Sequence, residues 1–117
     1  MVSEYVPDLG DIIKMDFDPG QAGHEQAGWR PALVLSPKTY NKAVGLALVV
    51  PITSRIKGYP FEVNLPSNLK IGGTVLADAI KSIDWRVRKA RLQDRAPADV
   101  LKQVQAKVAV LLGLPKP

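Results

Sequence analysis

The chain contains no cysteine and a single histidine. Without cysteine there are no disulfides, no thiolate zinc sites, no iron–sulfur clusters and no cysteine nucleophile. The absence fits any redox compartment. One histidine excludes a multi-histidine metal cage within one chain and any two-histidine acid–base pair. Long apolar runs are missing as well. The longest strongly apolar stretch, Val44 to Ile52 with Pro51 inside it, is far short of the ~18 to 20 residues of a transmembrane helix. The first ten residues carry Glu4 and Asp8 and have neither a basic n-region nor an apolar h-region. A soluble cytoplasmic protein, with no membrane partner, is therefore expected. No Walker loop, dinucleotide fingerprint, zinc spacing or nucleophile elbow occurs, and His24-Glu25 lacks the second histidine of a zincin.

What is present is a chain of 117 residues, 46% apolar and 23% charged. That is enough for one core, and residues 1–117 read as a single domain. The net charge is +5, which points weakly to a polyanionic or acidic partner. The charge is unevenly spread. Residues 1–29 hold six acids against one base, a net −5, whereas residues 30–117 hold 15 bases against 5 acids, a net +10. The segment 81–95 alone has six bases against Asp84 and Asp94.

The first 90 residues read as short strands punctuated by glycine and proline. Ile13, Met15 and Phe17 alternate with Lys14, Asp16 and Asp18, the pattern of a half-buried strand. Asp18-Pro19-Gly20 is turn chemistry, and Pro19 to Trp29 reads as an exposed loop. Pro31 to Leu35 and Leu46 to Ile52 are continuous apolar runs suited to buried strands, with Pro51 predicting an edge or a bulge in the second. Tyr59 to Leu65 reads as a short strand. Gly72-Gly73 reads as a bend or bulge before Thr74 to Ala77, and Ser82 to Val87 as a last strand with Ile83, Trp85 and Val87 on one face. The period then switches. Val100, Leu101, Val104, Val108, Leu111 and Leu112 recur at helical spacing. Pro97 and Asp99 suit the start of that helix and Gly113 its stop, so the spacing predicts one amphipathic helix over 97–112. A small, strongly bent sheet or barrel with a helix packed on it follows.

The chemistry is sparse. His24 reads first as a solvated loop histidine, and second as a substrate contact or proton shuttle. Arg30 stands between a polar loop and a buried strand. It is either a solvated strand end or, if held rigid, a bidentate fork for phosphate. Thr53-Ser54-Arg55 follows the other buried run and reads as a plain turn, or as a hydroxyl and a cation beside Arg30. Trp29, Tyr40, Tyr59, Phe61 and Trp85 interleave with the bases, as in grooves that stack single-stranded bases. Phe61 and Trp85 read as core residues and Trp29 as the better stacking candidate. The bases from Arg86 to Arg95 suit a phosphate track, a solvated hairpin or a docking face for an acidic protein.

An ordered set of motifs resembles MazF/PemK toxins. Tyr5-Val6-Pro7-Asp8, Gly10-Asp11 and Asp16-Phe17-Asp18-Pro19 carry it first. Glu25-Gln26-Ala27-Gly28, Arg30-Pro31-Ala32, Val34-Leu35-Ser36-Pro37 and Tyr40-Asn41 follow. Val50-Pro51, Thr53, Lys57-Gly58-Tyr59-Pro60-Phe61-Glu62-Val63, Ala77-Asp78, Lys81-Ser82-Ile83 and Trp85-Arg86 continue it. The resemblance covers nearly the whole chain.

It implies a mainly β fold, an SH3-like β-barrel with short helical turns and a C-terminal α-helix, usually as a homodimer. The implied activity is that of a toxin–antitoxin endoribonuclease. It cleaves single-stranded RNA without metal or other cofactor, often sequence-specifically, by 2′-hydroxyl transesterification, and so stops growth. The implied partner is a cognate MazE-like antitoxin whose acidic C-terminal tail occupies the RNA groove. The family's catalytic arginine falls on Arg30 and its catalytic threonine on Thr53. Glu25 falls on a loop position of the active site and is the expected base. The expected RNA contacts are Phe17, Trp29, Ser54, Arg55, Lys57 and Lys81. A well-known family member has histidine where this chain has Trp29. Two other readings compete. One is a CcdB-like toxin, which shares the barrel and binds DNA gyrase but relies on a terminal Trp-Gly-Ile that this chain, ending Leu114-Pro115-Lys116-Pro117, does not show. The other is a non-catalytic RNA-binding barrel.

Overall fold

The structure is a computed structural model and describes residues 4–17 and 28–115. In chain order the elements are β1 (Asp11–Asp16), β2 (Trp29–Val34), α1 (Lys38–Val44), β3 (Leu46–Thr53), β4 (Glu62–Asn64), β5 (Thr74–Leu76), β6 (Lys81–Asp84), β7 (Arg91–Arg95) and α2 (Ala98–Leu111). All strand pairs are antiparallel, in the order β4-β5-β3-β2-β1-β7, with β6 also on β3. This is the expected mainly β fold with a C-terminal helix. The path has two ends, β4 and β7, so the barrel is not strictly closed.

β3 explains the bend. Its first half, Leu46 to Val49, pairs with β6, and its last residues, Ile52 and Thr53, pair with β5. Pro51 lies at the changeover and pairs on its other side with Ala32. Proline has no N–H to give a ladder, and here the same edge of the strand changes partners. Of the expected edge or bulge, the edge is corrected: β3 is central, and its proline marks an irregularity where the ladder changes partners.

Apolar side chains fill both faces of the sheet. One cluster gathers Ile12, Leu33, Val50, Ile52, Val63, Val75, Val100 and Val104. The other gathers Ile13, Met15, Ala32, Val34, Ala47, Val49, Ile83 and Trp85, with Tyr5, Val6 and Ala90 packed against it. β1 is therefore buried on both faces, with Ile12, Ile13 and Met15 at 0% exposure. The half-buried alternation holds from Ile13 to Asp16, where Lys14 and Asp16 are less buried than Ile13 and Met15, but Ile12 is buried on the opposite face because chain crosses over each face. α2 covers the first cluster. The N-terminal segment and the turn after β6 cover the second.

Other elements shift for local reasons. The strand expected over 59–65 shortens to β4. The strand expected over 82–87 ends at Asp84, whose carboxylate accepts hydrogen bonds from the N–H groups of Arg86 and Val87 and turns the chain. Trp85 stays buried in that turn, but Val87 is exposed. Arg88 and Lys89 stay in the turn, and Arg91 and Arg95 enter β7, which pairs with β1 rather than folding back on β6. α2 starts after Pro97 and ends in a reversal at Gly113 (φ 69°), where the Leu114 N–H donates to the Ala109 carbonyl. Val100 and Val104 are buried, whereas Leu111 and Leu112, expected on the same face, are exposed because the helix outruns the sheet beneath it.

Candidate active site

The strand registers collect the predicted residues. Met15 pairs with Arg30 across β1–β2, and Ala32 pairs with Pro51 across β2–β3. Carried two residues further, that register sets Arg30 level with Thr53. Side chains two apart on a strand share a face. Arg30 thus shares the face of Ala32 and Val34, and Thr53 that of Val49. Lys81 pairs with Val49 across β3–β6, on the same face. Phe17, two residues past Met15, packs against this cluster. The second apolar face therefore runs out, at one end, into Phe17, Arg30, Thr53 and Lys81.

Arg30 is exposed. Among the described residues, none accepts a hydrogen bond or pairs with its guanidinium, which leaves its planar fork free for a bidentate anion. The Thr53 Oγ1 accepts the Arg55 N–H at 3.1 Å, a bond that fixes the hydroxyl oxygen and leaves its proton to donate. The Lys81 Nζ lies 5.3 Å from the Phe17 ring centroid and the Arg88 guanidinium 6.0 Å from it. Arg88 also donates to the Asp16 and Phe17 carbonyls, at 3.2 and 2.7 Å, and the Phe17 N–H donates to the Gly28 carbonyl at 2.7 Å. The backbone of Phe17 is therefore held on both sides.

Trp29 is not brought to this face. It alternates with Arg30 on β2, so it points the other way, and the Arg91 guanidinium lies 4.5 Å from its ring centroid. Ser54, Arg55 and Lys57 lie exposed in the segment that follows β3. Glu25 and His24 lie outside the described residues.

Three residues with a structural hold on the site were not singled out from sequence. Gly73 (φ 117°) packs on Thr53, and a Cβ there would stand 2.2 Å from the Thr53 carbonyl oxygen. Only glycine allows both that backbone angle and that approach. The Gly72-Gly73 pair is a visible signal, although it does not say what approaches. Glu62 accepts the N–H groups of Lys57 and Gly58 at 3.1 and 2.7 Å, and the sequence shows it only as one member of the Lys57–Val63 motif. Arg88 lies in the basic run 86–95 without standing out from it. Beside Glu62, the Tyr59 hydroxyl donates to Asp78, and that bond pushes its pKa up to about 12. The phenol thus stays a donor at any physiological pH.

A bent antiparallel sheet with an arginine and a threonine level on one polar face suits phosphate chemistry on an extended chain. Residues 8–112 match the PemK-like, MazF-like toxin of type II toxin–antitoxin systems. The chain belongs to that family. It is 52% identical to the endoribonuclease toxin MazF of Escherichia coli over 97% of this chain and 100% of that protein. Among solved structures, MazF from Deinococcus radiodurans superposes with a TM-score of 0.85 at 56% identity, over 95% of this chain and 100% of that one. A MazE–MazF structure from the same organism gives a TM-score of 0.86 at 49% identity, over 96% and 100%.

Proposed function

We propose that this protein is the toxin of a type II toxin–antitoxin pair, an endoribonuclease that cuts single-stranded RNA sequence-specifically without a metal ion. The 2′-hydroxyl attacks the adjacent phosphorus, its proton goes to a base, and the P–O5′ bond breaks as the 5′-oxygen leaves and takes a proton from water. The products are a 2′,3′-cyclic phosphate and a 5′-hydroxyl. Charge builds on the phosphoryl oxygens of the pentacoordinate state, and a preorganised cation there contributes most of the acceleration. Arg30 is that cation. Arginine stays protonated well above neutral pH, so it stabilises charge rather than transferring a proton. Thr53 orients the same phosphate through its hydroxyl, and Glu25 takes the 2′ proton. Phe17, Ser54, Arg55, Lys57 and Lys81 hold the strand, whereas Trp29, expected among them, points to the opposite face of β2.

The observation that supports this reading is the register that sets Arg30 level with Thr53. The 52% identity to an endoribonuclease toxin over its full length supports the activity. The partner is a MazE-like antitoxin, whose acidic tail suits the same cations. Residues 1–117 act as one toxin domain and assemble as a homodimer. Val110, Leu111 and Leu112, exposed at 60%, 44% and 61% at the end of α2, offer apolar surface for a second copy. No helix among the described residues is long and apolar enough to cross a membrane, in keeping with a cytoplasmic toxin.

The test is cleavage of mixed-sequence single-stranded RNA in EDTA. The wild type is expected to cut. Arg30→Ala and Thr53→Ala are each expected to lose about 100-fold or more in rate with folding unchanged by circular dichroism. Wild-type protein that leaves diverse RNAs whole refutes the reading.

A further inference from the structure

We infer that Ile56 is a specificity-determining residue, an apolar contact that reads one base beside the scissile phosphate and is held in place by Glu62. The inference rests on the ribonuclease reading and adds to it which side chain chooses the base.

Ile56 is 54% exposed, between the exposed cations Arg55 and Lys57. A lone exposed isoleucine is ordinary on a protein surface. Its backbone here is not ordinary. On one side, the Thr53 Oγ1 accepts the Arg55 N–H. On the other, the two oxygens of the Glu62 carboxylate accept the N–H groups of Lys57 and Gly58. The Glu62 N–H returns a bond to the Tyr59 carbonyl at 3.0 Å, and Lys107, from α2, donates to the Pro60 carbonyl at 2.5 Å. Asp78 takes the Tyr59 hydroxyl. A segment with no regular secondary structure is thus tied to β3, β4, α2 and the turn after β5, and it presents its isoleucine in a fixed place.

The place is next to the chemistry. Ile56 lies three residues on from Thr53, a span of at most about 10 Å, so a phosphate at Thr53 brings a flanking base within reach. Arg55 and Lys57 attract phosphate regardless of sequence. Ile56 has no donor or acceptor, so it cannot read a hydrogen-bonding edge. It reads by area and shape, accepting a base that covers its branched surface and rejecting one that leaves that surface wet or collides with it. The expected selectivity is therefore between purine and pyrimidine at one position.

The experiment maps cleavage ends on a random-sequence RNA pool for the wild type, Ile56→Ser and Glu62→Gln, with each base frequency normalised to total cleavage. A glutamine can accept only one of the two N–H groups and sets an NH2 against the other, which loosens the segment without removing Ile56. Ile56→Ser is expected to flatten the purine–pyrimidine preference at one position by about five-fold or more, within the range apolar contacts supply. Glu62→Gln is expected to flatten the same position. Wild-type preferences in Ile56→Ser at every position overturn the inference while leaving the ribonuclease reading intact. Flattening by Glu62→Gln at a different position overturns it too. An uncut pool with wild-type protein overturns both.

Discussion

Tyr5 shows how one side chain sets a response to pH. Its hydroxyl donates to Asp11 at 2.5 Å. Asp11 is itself buried, accepts the Asp8 N–H and lies 3.5 Å from the Arg95 Nε. Burial first, and the bond to Asp11 second, raise the Tyr5 phenol above its ordinary value. A group whose folded pKa is raised lends stability that is fully present below its unfolded pKa, about 10 for tyrosine. That stability is lost as pH climbs toward the folded value. Between pH 9 and 11 the wild type is expected to lose stability faster than Tyr5→Phe, measured as the urea midpoint at each pH. Parallel curves for the two proteins refute the role of Tyr5. None of this is visible in the sequence, where Tyr5 only opens the Tyr5-Val6-Pro7-Asp8 motif. Arg30 and Thr53, by contrast, are marked by position alone, each near one end of an apolar run.

Among the elements, those with strong period were legible and those held by tertiary contacts were not. α2 shows five apolar positions at helical spacing, a proline before it and a glycine after it. β2 and β3 hold the two continuous apolar runs, Pro31 to Leu35 and Leu46 to Ile52. α1 has seven residues and no side-chain cap, and its stability comes from Asn41, which is fully buried. The Asn41 amide donates to the Pro7 and Ser36 carbonyls, its Oδ1 accepts the Ser36 hydroxyl, and its backbone carbonyl accepts the Trp85 indole N–H. Asparagine in a short polar stretch gives no sequence sign of such a hub. Asn41→Ala leaves buried carbonyls and a hydroxyl unpaired and is expected to cost about 2–4 kcal/mol. A urea denaturation series checks this, and a loss below about 1 kcal/mol refutes it. β7 escaped for another reason. It is an edge strand studded with charge, as edges that resist aggregation are, so its alternation is hidden under arginines.

For the whole molecule, the charge asymmetry gains a geometry. Glu4 pairs with Arg86 at 2.6 Å and Asp11 approaches Arg95 at 3.5 Å. The acidic first quarter of the chain thus meets the basic run 86–95 and offsets part of it. Arg30, Arg55, Lys57 and Lys81 make no ion pair among the described residues and are the cations proposed to take phosphate. Four such contacts on a single strand predict a slope of about −3 for log affinity against log salt, at about −0.7 per phosphate. Fluorescence anisotropy with an uncleavable 2′-deoxy strand measures it, and Lys57→Ala is expected to flatten the slope by roughly 0.7. A slope near zero refutes phosphate capture by these residues.

The pairing of β1 with β7 also carries a consequence in time. Arg30 and Thr53 have both been translated before the chain is half made. The Arg88 clip on Asp16 and Phe17, and the strand that lies along β1, come from the last third. A ribosome therefore makes the two proposed site residues early and their framework late. Until Arg88 and β7 are made, Arg30 and Thr53 lack the contacts that frame them in the folded protein.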